Sequence, residues 1–181
     1  MTPDPENEQV SQALPEISAT QPSTPSQMVT ALKREHPEWI TDVVEGLGEV
    51  TAIVPREYIA AVCSYLKSAP GSRFDFLADL CGVDRGSEAE PRFEVNYHLF
   101  STTNFHRLRL KVLVNDDDAH VPTVTNVWKT ANWHERETYD LVGVVFAGHP
   151  DLRRILLPDD WQGHALRKDF PLRGYEPYSL K

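Results

Sequence analysis

The stretch from Trp133 to Tyr178 limits what this chain can fold into more than any other part of the sequence. Seven glycines and prolines interrupt it between positions 143 and 174, so only short helical or strand pieces fit between them. Its charged and large apolar residues follow neither the helical nor the strand period. Because a compact domain rarely keeps so long an irregular segment without a function, we predict an extended C-terminal interaction segment over residues 133–181.

Two interpretations of this C-terminal segment are open. In the first, it lies along another protein, where its charges pair with the partner and its Leu, Phe and Trp side chains fill pockets. In the second, it wraps over its own domain, where side-chain charges satisfy the backbone groups that no helix or strand pairs.

Composition excludes several classes of protein. The chain has 181 residues and a net charge of −9. Residues 135–181 hold seven Lys and Arg against eight Asp and Glu, which leaves −8 for the first 134 residues, and no basic patch indicates nucleic-acid binding. The N-terminus lacks the pattern of a signal peptide, and no apolar run approaches the ~20 residues of a membrane span. We expect a chain that stays on the side of the membrane where it was made.

The first 26 residues predict a disordered, acidic, proline-rich tail. They carry five prolines and four acidic residues but no Lys or Arg, and such a composition cannot bury enough apolar surface to fold. A short helix follows, capped by Ser26 and ended at His36-Pro37, and then a strand over Glu49–Val54. A second helix starts near Pro55 and places four apolar residues on one face: Ile59, Val62, Cys63 and Leu66.

Residues 27–132 as a whole predict an α+β domain. Phe74–Asp84 fits a turn that leads into a strand, and residues 93–99 and 108–114 alternate cleanly enough to form an antiparallel hairpin with one buried face. The other face carries Glu94 opposite basic residues, where cross-strand charge pairs are expected. A third helix is predicted to open at Pro122. The fold class is thus a small mixed or antiparallel sheet with helices packed on one face, followed by the long irregular C-terminal segment.

Catalytic and metal motifs fail when tested on the residues. His134-Glu135 begins like HExxH, but Thr138 stands where the second histidine is needed. Three histidines recur every fifteen residues, at His134, His149 and His164, and structural hydrogen bonds are a better expectation for them than a metal site. Cys63 and Cys81 form no CxxC pair and are expected to be reduced thiols.

Paired acids in the C-terminal segment also favour structure over catalysis. Glu135 and Glu137, like Asp159 and Asp160, could supply an acid and a base, but Arg136 and Arg154 are expected to lower the pKa of these carboxyl groups. We therefore predict no catalytic, cofactor-binding or metal-binding residue in this chain.

The C-terminal segment does match a known pattern of specific polar and aromatic residues. The matching positions are Trp133, Glu135-Arg136-Glu137, Tyr139-Asp140, Gly143, Phe146, Gly148-His149-Pro150-Asp151-Leu152-Arg153-Arg154-Ile155-Leu156, Pro158-Asp159-Asp160-Trp161, Gly163-His164, Leu166-Arg167-Lys168-Asp169 and Pro171-Leu172. This run closely resembles the 30-kilodalton subunit family, the C subunit of bacterial NADH:quinone oxidoreductase, which is respiratory complex I. Weaker agreement reaches upstream to Val50, and the small departures are Val142, Gln162, Ala165 and Phe170.

The resemblance implies a non-catalytic structural subunit of the peripheral arm of a proton-translocating complex. It implies that FMN, the iron-sulfur clusters and quinone are bound by partner subunits, and that this chain packs against the D subunit and the B/I side in a hetero-oligomer. It also implies a peripheral location on the cytoplasmic side of the cell inner membrane, with membrane contact only through the complex. The hypothesised partner interface consists of Glu135, Arg136, Glu137, Asp140, His149, Asp151, Arg153, Arg154, Asp160, Trp161, His164, Arg167, Lys168 and Asp169.

Two other functions stay open from the sequence. The first is the equivalent subunit of an energy-converting membrane-bound hydrogenase, or of a quinone reductase with another electron donor. The second is a free-standing hydrolase that uses His149 or His164 with a nearby carboxylate.

Overall fold

The computed structural model describes residues 24–175, which form three α-helices and seven β-strands. The helices are α1 (Pro25–Glu35), α2 (Ile59–Ser68) and α3 (Ala131–Val142). The strands are β1 (Asp42–Gly46), β2 (Glu49–Ile53), β3 (Phe76–Asp84), β4 (Phe93–Phe100), β5 (Arg107–Val114), β6 (His120–Pro122) and β7 (Val145–Ala147). Most of the predicted disordered tail, residues 1–23, lies outside the described residues.

Five strands form one mixed sheet in the order β1-β2-β5-β4-β3. The pair β2–β5 is parallel and the other three pairs are antiparallel, while β6 and β7 form a separate parallel pair. The predicted α+β class with a mixed sheet is confirmed.

The β4–β5 hairpin supplies the centre of the core, as its alternating pattern predicts. Phe93 pairs with Val114 and Leu99 with Leu108, and all eight inward side chains of the hairpin are at most 3% exposed. The four apolar residues of α2 are likewise buried against this core. On the opposite face of the hairpin, Lys111 Nζ lies 2.7 Å from Glu94 Oε2, which confirms one predicted cross-strand charge pair.

The other predicted elements of the domain differ in detail. The strands predicted at residues 49–54 and 74–84 are β2 and β3, but β1 was not predicted, and it joins β2 through a tight turn in which Leu47 adopts a positive φ of 53°. Helix α1 starts one residue before Ser26, because the Thr24 hydroxyl, rather than Ser26, accepts the capping hydrogen bond from the Gln27 N–H.

The prediction of a helix that opens at Pro122 is wrong. Pro122 ends strand β6, and turns carry the chain to Ala131, where α3 begins. The apolar residues that suggested a helix, Val124, Val127 and Trp128, are indeed buried, but their backbone is held in turns. Burial of consecutive turns produces the same spacing of apolar residues as a short amphipathic helix.

Helix α3 also crosses the predicted boundary between the domain and the C-terminal segment at residues 132 and 133. It packs on β3, where the absence of a side chain at Gly82 makes room: a Cβ atom there would lie 2.7 Å from Thr138 Cγ2. The irregular part of the chain therefore starts after β7, and we call residues 148–175 the arm. Within residues 24–175, no helix is long and apolar enough to cross a membrane.

Candidate functional site: the arm and its anchors

The arm is held to helix α3 by a fully buried carboxylate, that of Asp140. Its Oδ2 atom accepts hydrogen bonds from three successive backbone N–H groups of the arm, those of Ile155, Leu156 and Leu157, at 3.0, 2.8 and 2.8 Å. Its Oδ1 atom lies 2.6 Å from Nη1 of Arg154. Burial opposes ionisation of Asp140, but these donors outweigh it and lower its pKa. Asp140 is therefore a charged anchor that the arm folds around.

Two arginines satisfy the carbonyl groups of the arm. Arg154 donates from Nη2 to the carbonyls of Trp161 and Gly163, at 3.1 and 2.9 Å. Arg136, on α3, donates to the carbonyls of Arg153 and Arg154, at 3.1 and 3.0 Å. An irregular backbone needs such donors because no ladder pairs its carbonyl groups.

The C-terminal end of α3 is closed by the arm. His164 donates from Nδ1 to the carbonyl of Asp140 at 2.9 Å, and Arg167 donates from Nε to that of Val142 at 2.7 Å. Burial, together with the charges of Arg167 and Arg154, lowers the pKa of His164. Gly143 allows this approach, because its φ is +88° and a Cβ atom there would lie 2.5 Å from His164 Cδ2.

A second anchor lies on the sheet, at Arg92 and Asp84. The guanidinium of Arg92 makes two hydrogen bonds to Asp84, at 3.0 and 3.1 Å, and contacts Asp116 and Asp169 at 2.7 and 2.9 Å. Asp84 also accepts a hydrogen bond from the Lys168 N–H at 2.7 Å. Arg92 and Asp84 therefore both bind the arm directly. Burial opposes ionisation of Asp84, but these donors together lower its pKa from 3.8 to about 2.

Neither residue of this second anchor was predicted as a site residue. Arg92 lies in the connection between β3 and β4, and its partners are 8, 24 and 77 positions away in the sequence. Contacts over such distances leave no local pattern in the sequence. A buried, paired arginine in a loop cannot be distinguished there from a solvent-exposed one. The side chain of Arg92 is nevertheless only 5% exposed.

The expectation that neighbouring arginines lower the carboxyl pKa values is wrong for Glu135, whose pKa is raised. Its side chain is fully buried and accepts hydrogen bonds from the Thr123 hydroxyl at 2.5 Å and the Val124 N–H at 2.7 Å. Arg136 points away, to the carbonyls of the arm, so burial prevails and raises the pKa of Glu135 to about 7. This carboxyl group ties α3 to the turn after β6.

We expect the Glu135→Gln variant to change how folding stability depends on pH. The pKa of Glu135 is 4.5 when unfolded and about 7 when folded, so the group contributes stability below pH 4.5 that is lost as the pH rises through 7. The glutamine variant should lack this loss and exceed the wild type in stability at pH 8. Urea unfolding from pH 5 to pH 8 measures the effect, with Glu137→Gln, on the exposed side of α3, as the control. Parallel curves for wild type and Glu135→Gln would contradict the burial argument.

The predicted interface residues fall into three groups. Buried residues with partners inside the chain are Glu135, Arg136 and Asp140. Half-buried residues that hold or line the arm are His149, Arg154, Trp161, His164 and Arg167. Exposed residues are Glu137, Asp151, Arg153, Asp160, Lys168 and Asp169.

The three regularly spaced histidines do not meet one another. His134 lies beside Asp79, at 3.5 Å, and His149 donates to the carbonyl of Asn132 at 3.2 Å while its Nδ1 atom accepts the Asp151 N–H. His164 bonds to α3 as described above. Each imidazole thus has its own partner within the described part of the chain.

The arm also leaves large apolar side chains in contact with solvent. Leu156 and Leu166 are 60% and 59% exposed, Leu172 is fully exposed, and Tyr175 is 55% exposed. The charged residues in the described part of the arm bind it to its own domain, as in the second interpretation, in which the segment wraps over that domain. Its exposed apolar residues stay available for contact with another protein, as the first interpretation requires.

Most of the described part of the chain matches known proteins. Residues 52–176 match the family model described as the 30 Kd subunit of respiratory-chain NADH dehydrogenase. The chain is 53% identical over 137 residues to the C 2 subunit of NADH-quinone oxidoreductase from Rhizobium meliloti, and the match covers 74% of both chains. It is 50% identical over 152 residues to the C subunit of NADH-quinone oxidoreductase from Geobacter sulfurreducens, with 83% of this chain and 93% of that protein covered.

Solved structures show the same fold. The trypsin-resistant fragment 1–134 of Nqo5 superposes with a TM-score of 0.59 at 35% identity, over 69% of this chain and 98% of that one. A chain of the membrane-bound sulfane sulfur reductase, an archaeal respiratory membrane complex, has a TM-score of 0.66 over 81% of this chain and 85% of that one. Its identity is 23%, so that likeness concerns the fold alone. The family match and the high identities together establish that this chain belongs to the 30-kilodalton subunit family of respiratory-chain NADH dehydrogenase, whose bacterial members are the C subunits of NADH-quinone oxidoreductase.

Proposed function

We propose that this chain is a structural, non-catalytic subunit in the peripheral arm of a proton-translocating NADH:quinone oxidoreductase. In this role it holds neighbouring subunits together, and electrons pass through FMN, iron-sulfur clusters and quinone that the partner subunits bind. The observation that carries the proposal is the construction of the C-terminal arm, in which buried charges fix an irregular backbone while apolar side chains remain exposed.

The internal bonds of the arm prepare it for binding. Asp140, Arg154 and the Arg92 cluster hold residues 154–169 in one conformation before any partner arrives. A segment that is already ordered loses less conformational entropy on association, so more of the contact energy appears as affinity. The side chains that the domain leaves uncovered are then the ones that a partner can bury.

The exposed apolar residues of the arm fit the expected anatomy of an interface. Large apolar anchors surrounded by exposed charged residues are typical of protein–protein contacts. We place the D subunit and the B/I side of the complex against this surface, and we place the chain on the cytoplasmic side of the membrane. The family membership supports these assignments. Each of them requires that the chain be part of a hetero-oligomer.

Co-purification tests the proposal directly. The full chain is co-expressed with the D subunit of the same genome, and the eluted species are weighed by native mass spectrometry. A stoichiometric pair is the expected result. A chain that elutes alone in the presence of a folded D subunit would overturn the assignment of that partner.

Removal of apolar anchors should weaken this pair without unfolding the chain. In the double variant Leu166→Ser, Leu172→Ser, we expect at least a ten-fold loss of affinity for the D subunit, since burial of a single Leu side chain contributes about 1.5–3 kcal/mol and 1.4 kcal/mol corresponds to a ten-fold change. The matched control is Val44→Thr, Leu47→Ser, which alters two equally exposed residues of the β1–β2 turn region. Titration by surface plasmon resonance measures both, and equal affinities would contradict the placement of the interface on the arm.

A further inference from the structure

Three side chains of different chemistry meet where β3 pairs with β4. Asp79 and Cys81 are two residues apart on β3, and His98 on β4 lies directly opposite Asp79 in the sheet register. A carboxylate oxygen, the Sγ atom and an imidazole nitrogen from these residues all lie within 4.8 Å of one another. Among residues 24–175, no other group of three or more His, Cys, Asp and Glu side chains places its ligand atoms this close together.

Helix α3 brings two more residues of the same kind to this place. His134 Nδ1 lies 3.5 Å from Asp79 Oδ1, and the His134 side chain is 28% exposed. Glu137 follows one turn later along α3 and lines the same cleft as Asp79 and Cys81. Two carboxylate groups therefore flank Cys81, and a bound cation would offset their charge.

The donor set is specific enough to select a class of metal. Thiolate, imidazole and carboxylate ligands together suit Zn²⁺, whereas Mg²⁺ and Ca²⁺ take oxygen ligands. Tetrahedral zinc with bonds of 2.0–2.3 Å keeps its ligand atoms about 3.3–3.8 Å apart. The present separations of up to 4.8 Å need to close by about 1 Å, a change within the reach of side-chain rotation.

A cleft gives an ion access to Asp79 and Cys81. It has a volume of about 170 Å³, runs between β3 and α3, and is lined by Asp79, Cys81 and Glu137. The three β-strand ligands are not deeply buried: Asp79 is exposed, and Cys81 and His98 are half-buried. A metal could therefore bind to the folded chain without opening the core.

We propose that Asp79, Cys81 and His98 bind one Zn²⁺ ion and that His134 supplies the fourth ligand. On binding, the Cys81 thiol proton is released to solvent and the thiolate sulfur bonds to the metal. The ion would join β3, β4 and α3; of these elements, β3 holds the arm through Asp84 and α3 holds it through Asp140. This departs from the sequence-based expectation of no metal site, and it is independent of the proposed function.

The sequence alone could not indicate this site. Its ligands are separated by one, sixteen and thirty-five residues, which matches none of the short zinc motifs. Only the strand register and the packing of α3 on β3 bring them together.

Cobalt substitution tests the proposal on the full chain, purified without a histidine tag and treated with a chelator. Co²⁺ alone is titrated into the protein, followed by Zn²⁺ in competition. We expect one Co²⁺ per chain, a thiolate-to-cobalt charge-transfer band, visible bands typical of tetrahedral cobalt, and displacement by one equivalent of Zn²⁺. Absence of the charge-transfer band in the wild type would overturn the site.

Single variants assign the ligands. Cys81→Ser should abolish the charge-transfer band, and His98→Gln and Asp79→Asn should each weaken Zn²⁺ binding by more than about 100-fold, because loss of a direct ligand exceeds the 10–100-fold effect of an outer-shell partner. His134→Gln should do the same, and an unchanged affinity there would overturn its assignment as the fourth ligand. The matched controls are Cys63→Ala and His120→Gln, which remove a cysteine and a carboxylate-paired histidine elsewhere. A band that survives in Cys81→Ser would also overturn the proposal.

Discussion

The Asp140→Ala variant is expected to lose about 3–5 kcal/mol of unfolding free energy, because it breaks a buried ion pair from one side. The change leaves the Arg154 guanidinium, whose side chain is 15% exposed, without its carboxylate. It also removes the acceptor of three successive N–H groups of the arm. The stability of Asp140→Asn should lie between that of the wild type and that of Asp140→Ala, since this change keeps the shape of the side chain but removes its charge.

Urea unfolding and limited proteolysis measure this effect in two ways. Asp151→Ala is the matched control: Asp151 also pairs with an arginine, Arg153 at 2.9 Å, but both side chains are more than half exposed. Exposed pairs contribute about 0–1 kcal/mol, so this variant should remain close to the wild type. In Asp140→Ala, trypsin should cut at Arg153 and Arg154 much faster than in the control. Equal cleavage rates would show that the arm does not depend on Asp140.

Arg92→Ala should be destabilising to a similar extent, about 3–5 kcal/mol, because it leaves the buried Asp84 carboxylate unpaired. The side chains of Arg92 and Asp84 are 5% and 0% exposed, so water cannot replace the lost partner without local opening. The arm loses its contact from Asp169 at the same time. Arg153→Ala, at a side chain that is 68% exposed, is the control and should have little effect.

The pH dependence distinguishes this mechanism from a simple loss of packing. The folded pKa of Asp84 is lowered from 3.8 to about 2, so its contribution to stability is present above 3.8 and is lost as the pH falls towards 2. The difference in unfolding free energy between the wild type and Arg92→Ala should therefore be largest near pH 7 and shrink in acid. A difference that stays constant from pH 7 to pH 3 would contradict the charge pairing.

The parts of the fold that follow a simple period were predictable from the sequence. Strands β4 and β5 alternate along their full length because one face of the hairpin forms the core. Helix α3 escaped prediction because four of its six buried residues are polar or charged, among them Glu135 and Asp140. A pattern of apolar residues cannot report a helix that is buried through hydrogen bonds.

The sequence indicated which charged residues of the C-terminal segment matter, but it did not indicate which groups they contact. The sequence pointed to Asp140, Arg154 and Arg167 as functional charges of the C-terminal segment, and the structure joins all three to the end of α3. That these charges serve the chain's own backbone could not be read from the sequence, since Arg154 finds Asp140 fourteen positions away through a turn that no motif marks. Their contacts with a neighbouring protein of the complex stay a prediction.

The contact between Lys168 and Asp84 spans 84 residues, and it sets the order in which the molecule can form. Closing a loop of that length costs conformational entropy, and contacts with partners that are already in place are needed to offset this cost. Asp84 and Arg92 are placed together by the pairing of β3 with β4, and Asp140 is placed by the packing of α3 on β3. The arm therefore has nothing to dock on until the sheet and α3 are complete. During synthesis it is also the last part of this surface to leave the ribosome, so a chain released early would carry a finished domain and unfilled anchors.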